Sequence, residues 1–169
     1  ALCPAHPTHS HKGTLTMSRQ SQGIVLNAPT GYLVLPTGTT ALSREVHANR
    51  LLVLSTSNAL YTLNLPRAEG SGDTYEFLST LAHSSNIVIN AVGTAPSNRF
   101  VGTIFQRTSA NTLVQFSSTT NDIITLNQTT TGGADVGDYL KIMDTAPDQW
   151  RIIFGLFTTS GAQATPFSG

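Results

Sequence analysis

The residues best equipped for chemistry crowd the start of the chain. Cys3, His6, His9 and His11 follow one another closely, and thiolate and imidazole are ordinary zinc ligands. Their spacing matches no established zinc pattern, and Pro4 and Pro7 interrupt it, so no metal is expected. His47 and His83 lie far from each other and from any obvious nucleophile. Hydrolytic chemistry asks for a Ser, Cys or Thr beside a base that a third group orients. In a chain so rich in Ser and Thr, chance pairings carry no weight. Asp135 and Asp138 bracket Gly137 in a turn that could offer oxygen ligands. Asp also bonds nearby backbone and begins turns, and that is the reading taken for Asp122, Asp135, Asp138, Asp144 and Asp148. The sequence holds no G-x-S-x-G elbow, H-E-x-x-H pair, Walker loop or dinucleotide fingerprint. No catalytic residue and no cofactor are therefore expected; the chain reads as a non-enzyme.

Composition points the same way. Only 11% of the 169 residues are charged, well below the usual quarter or so, and net charge is zero. A nucleic-acid partner would need clustered Lys and Arg, so none is expected. The charge is uneven: residues 1–50 hold Lys12, Arg19, Arg44 and Arg50 against Glu45 alone. A mildly basic front end suits an acidic protein surface. One cysteine excludes a disulfide framework within the chain. No apolar stretch reaches the roughly eighteen residues of a membrane span, and the N-terminus lacks the apolar core of a signal peptide. The expectation is synthesis in a reducing cytoplasm, which the chain leaves only as part of something larger, and no membrane partner.

The elements that would position any site are strands. Residues 1–23, with Pro4, Pro7, Gly13 and long polar runs, show no periodicity able to bury a face and read as an extended arm. Met17 is a candidate internal start. Residues 24–169 read as a single β-domain. Its first part, 24–50, is a strap of short strands broken by Pro29, Gly31, Pro36 and Gly38, with at most one short helix within 40–50. Strands are then expected at 51–55, 60–65, 74–79, 86–91, 100–106, 112–117, 122–127, 137–143 and 149–158. Strands at such short intervals, with Gly, Asn, Ser and Pro between them, indicate an all-β antiparallel sandwich or barrel, jelly-roll-like. Two segments echo each other, GSGDTYEFLST at 70–80 and DVGDYLKIMDT at 135–145, each with a Gly-Asp turn leading into a strand. The run IIFGLF at 152–157 is too apolar to leave one face in water. Ile153, Phe154, Leu156 and Phe157 are therefore candidate oligomer contacts.

Taken in series, NALYTLNLPRAEGSGDTYEF, NIVINAVG, GTIFQRT and NDIITLNQTTTGGADVGDYLKIMDTAPDQWRIIFGLF resemble the small β-rich capsid decoration (cement) proteins of tailed bacteriophages, over about residues 50–169. The resemblance implies a structural virion protein on the outer capsid surface. It would bridge capsomers against internal pressure, with the major capsid protein and copies of itself, as a homotrimer, for partners. Arg19, Gln20, Gln22, Ile24, Leu26, Arg44 and Arg50 are then the expected contacts with the shell or a neighbour. The alternative from another class is a receptor- or glycan-binding module of a phage tail fibre or spike, which would carry an aromatic and acidic cluster at its loop ends.

Overall fold

Apolar residues alternate with polar ones along most of the chain, and this period of two turns each run into a strand with one face inward. The computed structural model describes residues 31–91, 98–108 and 110–169. Its strands are β1 (Tyr32–Val34), β2 (Gly38–Ala41), β3 (Arg50–Leu54), β4 (Tyr61–Leu65), β5 (Thr74–Ser79) and β6 (Ile87–Ala91). They continue with β7 (Arg99–Thr108), β8 (Leu113–Ser118), β9 (Ile123–Leu126), β10 (Tyr139–Ala146), β11 (Gln149–Thr159) and β12 (Phe167–Ser168). A single helical turn, α1 (Arg44–His47), joins β2 to β3. The protein is an all-β sandwich of two sheets. One has seven strands in the order β1-β3-β5-β10-β11-β7-β8, and the other has five, in the order β12-β9-β6-β4-β2.

The first six strands alternate between the sheets. Each return to a sheet lies beside the previous visit and runs the same way, so Leu33, Leu52 and Phe77 fall in one row. In the other sheet Thr40, Leu63 and Ile89 do the same. The result is three stacked coils. The sequence leads one to expect antiparallel pairing, and it holds for β5–β10, β10–β11, β7–β8, β6–β9 and β9–β12. The coil strands and β7–β11 pair in parallel. A parallel neighbour normally needs a long crossover, usually a helix; along the coils a strand of the opposite sheet serves as the crossover.

The core fills the space between the sheets. Trp150, Tyr61, Tyr75 and Phe100 are fully enclosed, and Tyr75 meets Trp150 edge to face at 5.4 Å. Such aromatic contacts add about 0.5–1.5 kcal/mol beyond burial itself. At the far end, Gly132 has φ +117°, and a Cβ there would lie 2.5 Å from Phe157 Cβ. Only glycine lets the 127–133 loop close over that ring.

Candidate interaction surface

The outer face of the seven-stranded sheet is where the sequence leaves apolar side chains without a partner. Strand register aligns Val34, Val53, Leu78, Tyr139, Leu156, Phe105 and Gln115 in one row across all seven strands. All but the last are apolar or aromatic; Val34 is exposed, Leu78, Tyr139, Leu156 and Phe105 are half-buried, and Val53 is buried. Beside this row stands Phe154, opposite Lys141, with its ring 6.1 Å from that of Tyr139. Phe105, Leu156, Phe154 and Leu113, with Arg107 and Asn111, line a shallow groove of about 460 Å³. Leu113 is 59% exposed and Phe154 46%. A contiguous apolar patch of this kind is uncommon on a monomer and marks interaction sites.

A bulge creates the exposure. Between β10 and β11 the register slips so that Lys141 faces Phe154 while Ile142 faces Ile152. Ile153 is the extra residue. Ile152 points into the core, Ile153 and Phe154 both point out, and Gly155 returns inside, where a Cβ would sit 2.9 Å from Ile104. Of the four expected oligomer contacts, Ile153 and Phe154 are exposed and Leu156 is half-buried. Phe157 is 3% exposed and belongs to the core. The expectation for Phe157 is corrected accordingly: the bulge shifts the phase of the strand, and a ring packed beneath Gly132 offers nothing to a neighbour.

The charges beside the apolar row are paired among themselves. Lys141 Nζ lies 2.7 Å from Glu76 Oε1, and the Tyr139 hydroxyl donates to Glu76 Oε2 at 2.8 Å. The Lys141 ammonium holds the Glu76 carboxyl below its ordinary range, against the cost of burial, and the Tyr139 hydroxyl assists. Burial and the neighbouring carboxylate raise the Tyr139 phenol. Arg107 reaches Asp135 at 3.5 Å and donates to Thr158 Oγ1 at 3.1 Å. The apolar row is thus flanked by paired charges, while Arg99 and Arg151 stand exposed further along β7 and β11.

Of the expected shell contacts, Arg44 and Arg50 fall among the described residues. Arg19, Gln20, Gln22, Ile24 and Leu26 lie outside the described residues, as do Cys3, His6, His9 and His11. Arg44 is taken up inside the molecule. Its guanidinium donates to Asp144 Oδ2, Glu69 Oε2 and the Arg67 carbonyl, each at 2.9 Å, and stands 3.8 Å from Asp73. Asp144 has no exposed side-chain surface. It also accepts from the backbone N–H of Glu69 and Gly70 and from the Ser71 hydroxyl. Burial pushes its carboxyl up, but those hydrogen bonds outweigh burial and hold it below the ordinary range. Arg44 is thus an internal tie between α1, the 67–73 loop and β10. Arg50 is half-buried at the start of β3, with its Nε enclosed.

Asp138 is the other buried carboxylate. It accepts from the backbone N–H of Gly133 at 2.8 Å and of Thr158 at 2.9 Å. Burial outweighs these bonds and pushes its pKa up to about 6. His83 is 4% exposed and packs edge-on against Tyr61 at 5.7 Å, and burial pulls its pKa down. His47 Nδ1 accepts the Ser43 N–H at 3.0 Å. Among the described residues no group of three or more His, Cys, Asp and Glu could hold a metal ion.

Sequence reasoning missed Leu78, Tyr139, Phe105 and Leu113 as surface residues. Their signal was there: TYEFLS and GTIFQRT place apolar residues on both phases of one strand. Only the pairing order shows that the second phases align. Compared with protein-family models, with curated proteins and with solved structures, the chain matches none.

Proposed function

We propose that the chain is a structural virion protein, a decoration protein that docks on the outer surface of an assembled phage head and braces neighbouring capsomers. The observation that carries this reading is the apolar row across the seven-stranded sheet, with Glu76 and Lys141, and Arg107 and Asp135, paired with one another beside it. Such a face binds through buried area and shape, which suits a contact repeated many times over a shell. Anything that binds only the assembled state stabilises it by mass action, so no catalytic step is required. The resemblance of residues 50–169 to cement proteins supplies the shell as the partner. The test is occupancy on empty heads of the virus that encodes the chain, measured by co-sedimentation. Phe154→Asp is expected to lower occupancy at least tenfold while leaving the unfolding midpoint in place. Full occupancy by that variant overturns the reading.

A second reading is favoured by one feature. The groove sets Phe105 and Phe154 beside Arg107 and Asn111, and an aromatic floor with polar groups at its rim suits a sugar ring. On that reading the chain is a glycan-binding module of a tail fibre or spike. Binding to a glycan array by the isolated protein, with no affinity for heads, would select it.

A further inference from the structure

Among the described residues, the end strand β8 is open in a way that natural sheet edges seldom are. It is the last strand of the seven-stranded sheet, and no described strand lies beyond it. Exposed edges are ordinarily blunted by charge, Pro, a bulge or very short length. β8 reads LVQFSS, with no charge and no Pro, and its register with β7 is unbroken from Leu113 to Ser118. The other three end strands are shorter, with three residues in β1, four in β2 and two in β12. The five-stranded sheet leaves part of the inner face of β8 uncovered, so Val114 is 37% exposed although it faces inward.

The hydrogen-bond phase of the edge is fixed. Thr108 N–H donates to Thr112 O at 3.0 Å where β7 passes into β8. Even-numbered residues of β8 therefore turn their backbone groups toward β7, and Leu113, Gln115 and Ser117 turn theirs away. These three outward residues are centred on Gln115.

We propose that β8 pairs with β8 of a second copy of this chain, antiparallel, about a two-fold axis at Gln115. In that register Gln115 faces Gln115, Leu113 faces Ser117, and the outward backbone groups of both strands satisfy one another. On the inner face Val114 stands opposite Phe116, an aromatic against a β-branched side chain, which is a favoured cross-strand pair. An uncharged edge asks for an uncharged partner, and this strand is its own complement. A two-fold contact of this kind is self-closing and joins two seven-stranded sheets edge to edge. The apolar outer face stays open, so the pairing rests on the edge geometry alone and not on the shell-binding reading. Six residues span about 20 Å, and such a contact is smaller than the roughly 800 Å² per partner of a standard interface. The dimer is accordingly concentration-dependent.

Register-specific cross-linking tests it, with Cys3→Ser as background and a glutathione redox buffer at equilibrium. Facing residues of this type lie about 5.5 Å apart at Cα, within disulfide range. Gln115→Cys alone is expected to give at least tenfold more covalent dimer than Leu113→Cys or Ser117→Cys alone. A mixture of those two single variants should cross-link to each other. In sedimentation velocity the mass should rise toward twice the chain with concentration. Gln115→Lys, which sets two ammonium groups face to face, should weaken that association at least tenfold with an unchanged circular dichroism spectrum. Equal cross-linking at all three positions, a mass of three chains, or association unaffected by Gln115→Lys overturns the proposal.

Discussion

The two ends of the β5–β10 ladder share one backbone design and differ in charge. At one end Gly72 N–H donates to Asp144 O and Asp144 N–H to Asp73 O, both at 2.9 Å. At the other, Gly137 N–H donates to Ser79 O at 2.8 Å and Ser79 N–H to Asp138 O at 2.9 Å. Each end is closed by a Gly-Asp step and anchored by one buried carboxylate. Asp144 has Arg44 against it, whereas the bonds of Asp138 come from neutral donors, among them the backbone of Gly133 and Thr158 and the Thr158 side chain. Hydrogen bonds suffice to hold a loop in place. What separates the two ends in their response to pH is the balance of burial against those bonds: at Asp144 the bonds from Glu69, Gly70 and Ser71 win, and at Asp138 burial wins.

Breaking the charged end should have the largest effect. Asp144→Asn leaves Arg44 without its buried partner and is expected to lower the free energy of unfolding by about 3–5 kcal/mol, measured by denaturant titration at neutral pH. The uncharged end should yield less. Asp138→Asn keeps one acceptor and is expected to lose about 1–2 kcal/mol.

The pH profiles then sharpen the contrast. Stability from Asp144 is present above the unfolded carboxylate value, about 3.9, and is lost as pH falls through its lower folded value. Asp138, pushed up to about 6, works in reverse. Its contribution is complete below the unfolded value and is lost as pH rises through 6. The deficit of Asp138→Asn should therefore be largest near pH 4 and shrink toward pH 7. A deficit that grows over that interval would show that the hydrogen bonds outweigh burial at this end too. The smallest effect is expected at Arg67, whose 2.8 Å pair with Asp148 sits near the charged end but in solvent. Arg67→Ala should leave the denaturation midpoint unmoved, since exposed pairs contribute little.

The Gly-Asp echo at 70–80 and 135–145 was legible in the sequence, and so were most strands. Alternation and turn residues place nine of them from β3 to β11 within one to three residues of their observed ends. Pairing was not legible. β5 and β10 are neighbours while their sequence predecessors β4 and β9 flank β6 in the other sheet, and nothing local encodes that. β2 and β12, read as GTTA and FS, are too short and too plain to announce a strand. Exposure of Ile153 and Phe154 could be anticipated from an over-apolar run, but the fate of Phe157 depended on a bulge, which one strand alone does not reveal. Arg44 illustrates the same limit: its buried partner Asp144 lies 100 residues further along.

The extra residue at Ile153 also bears on how such a surface can change over generations. By putting two successive side chains outside, the bulge unlinks the outer face from the core pattern of β11. Phe154 and its neighbours can then be exchanged for other residues while Ile152, Gly155 and Phe157 go on filling the same interior space. One inserted residue thus gives the fold an evolvable face, free to follow a drifting partner without renegotiating the architecture beneath it.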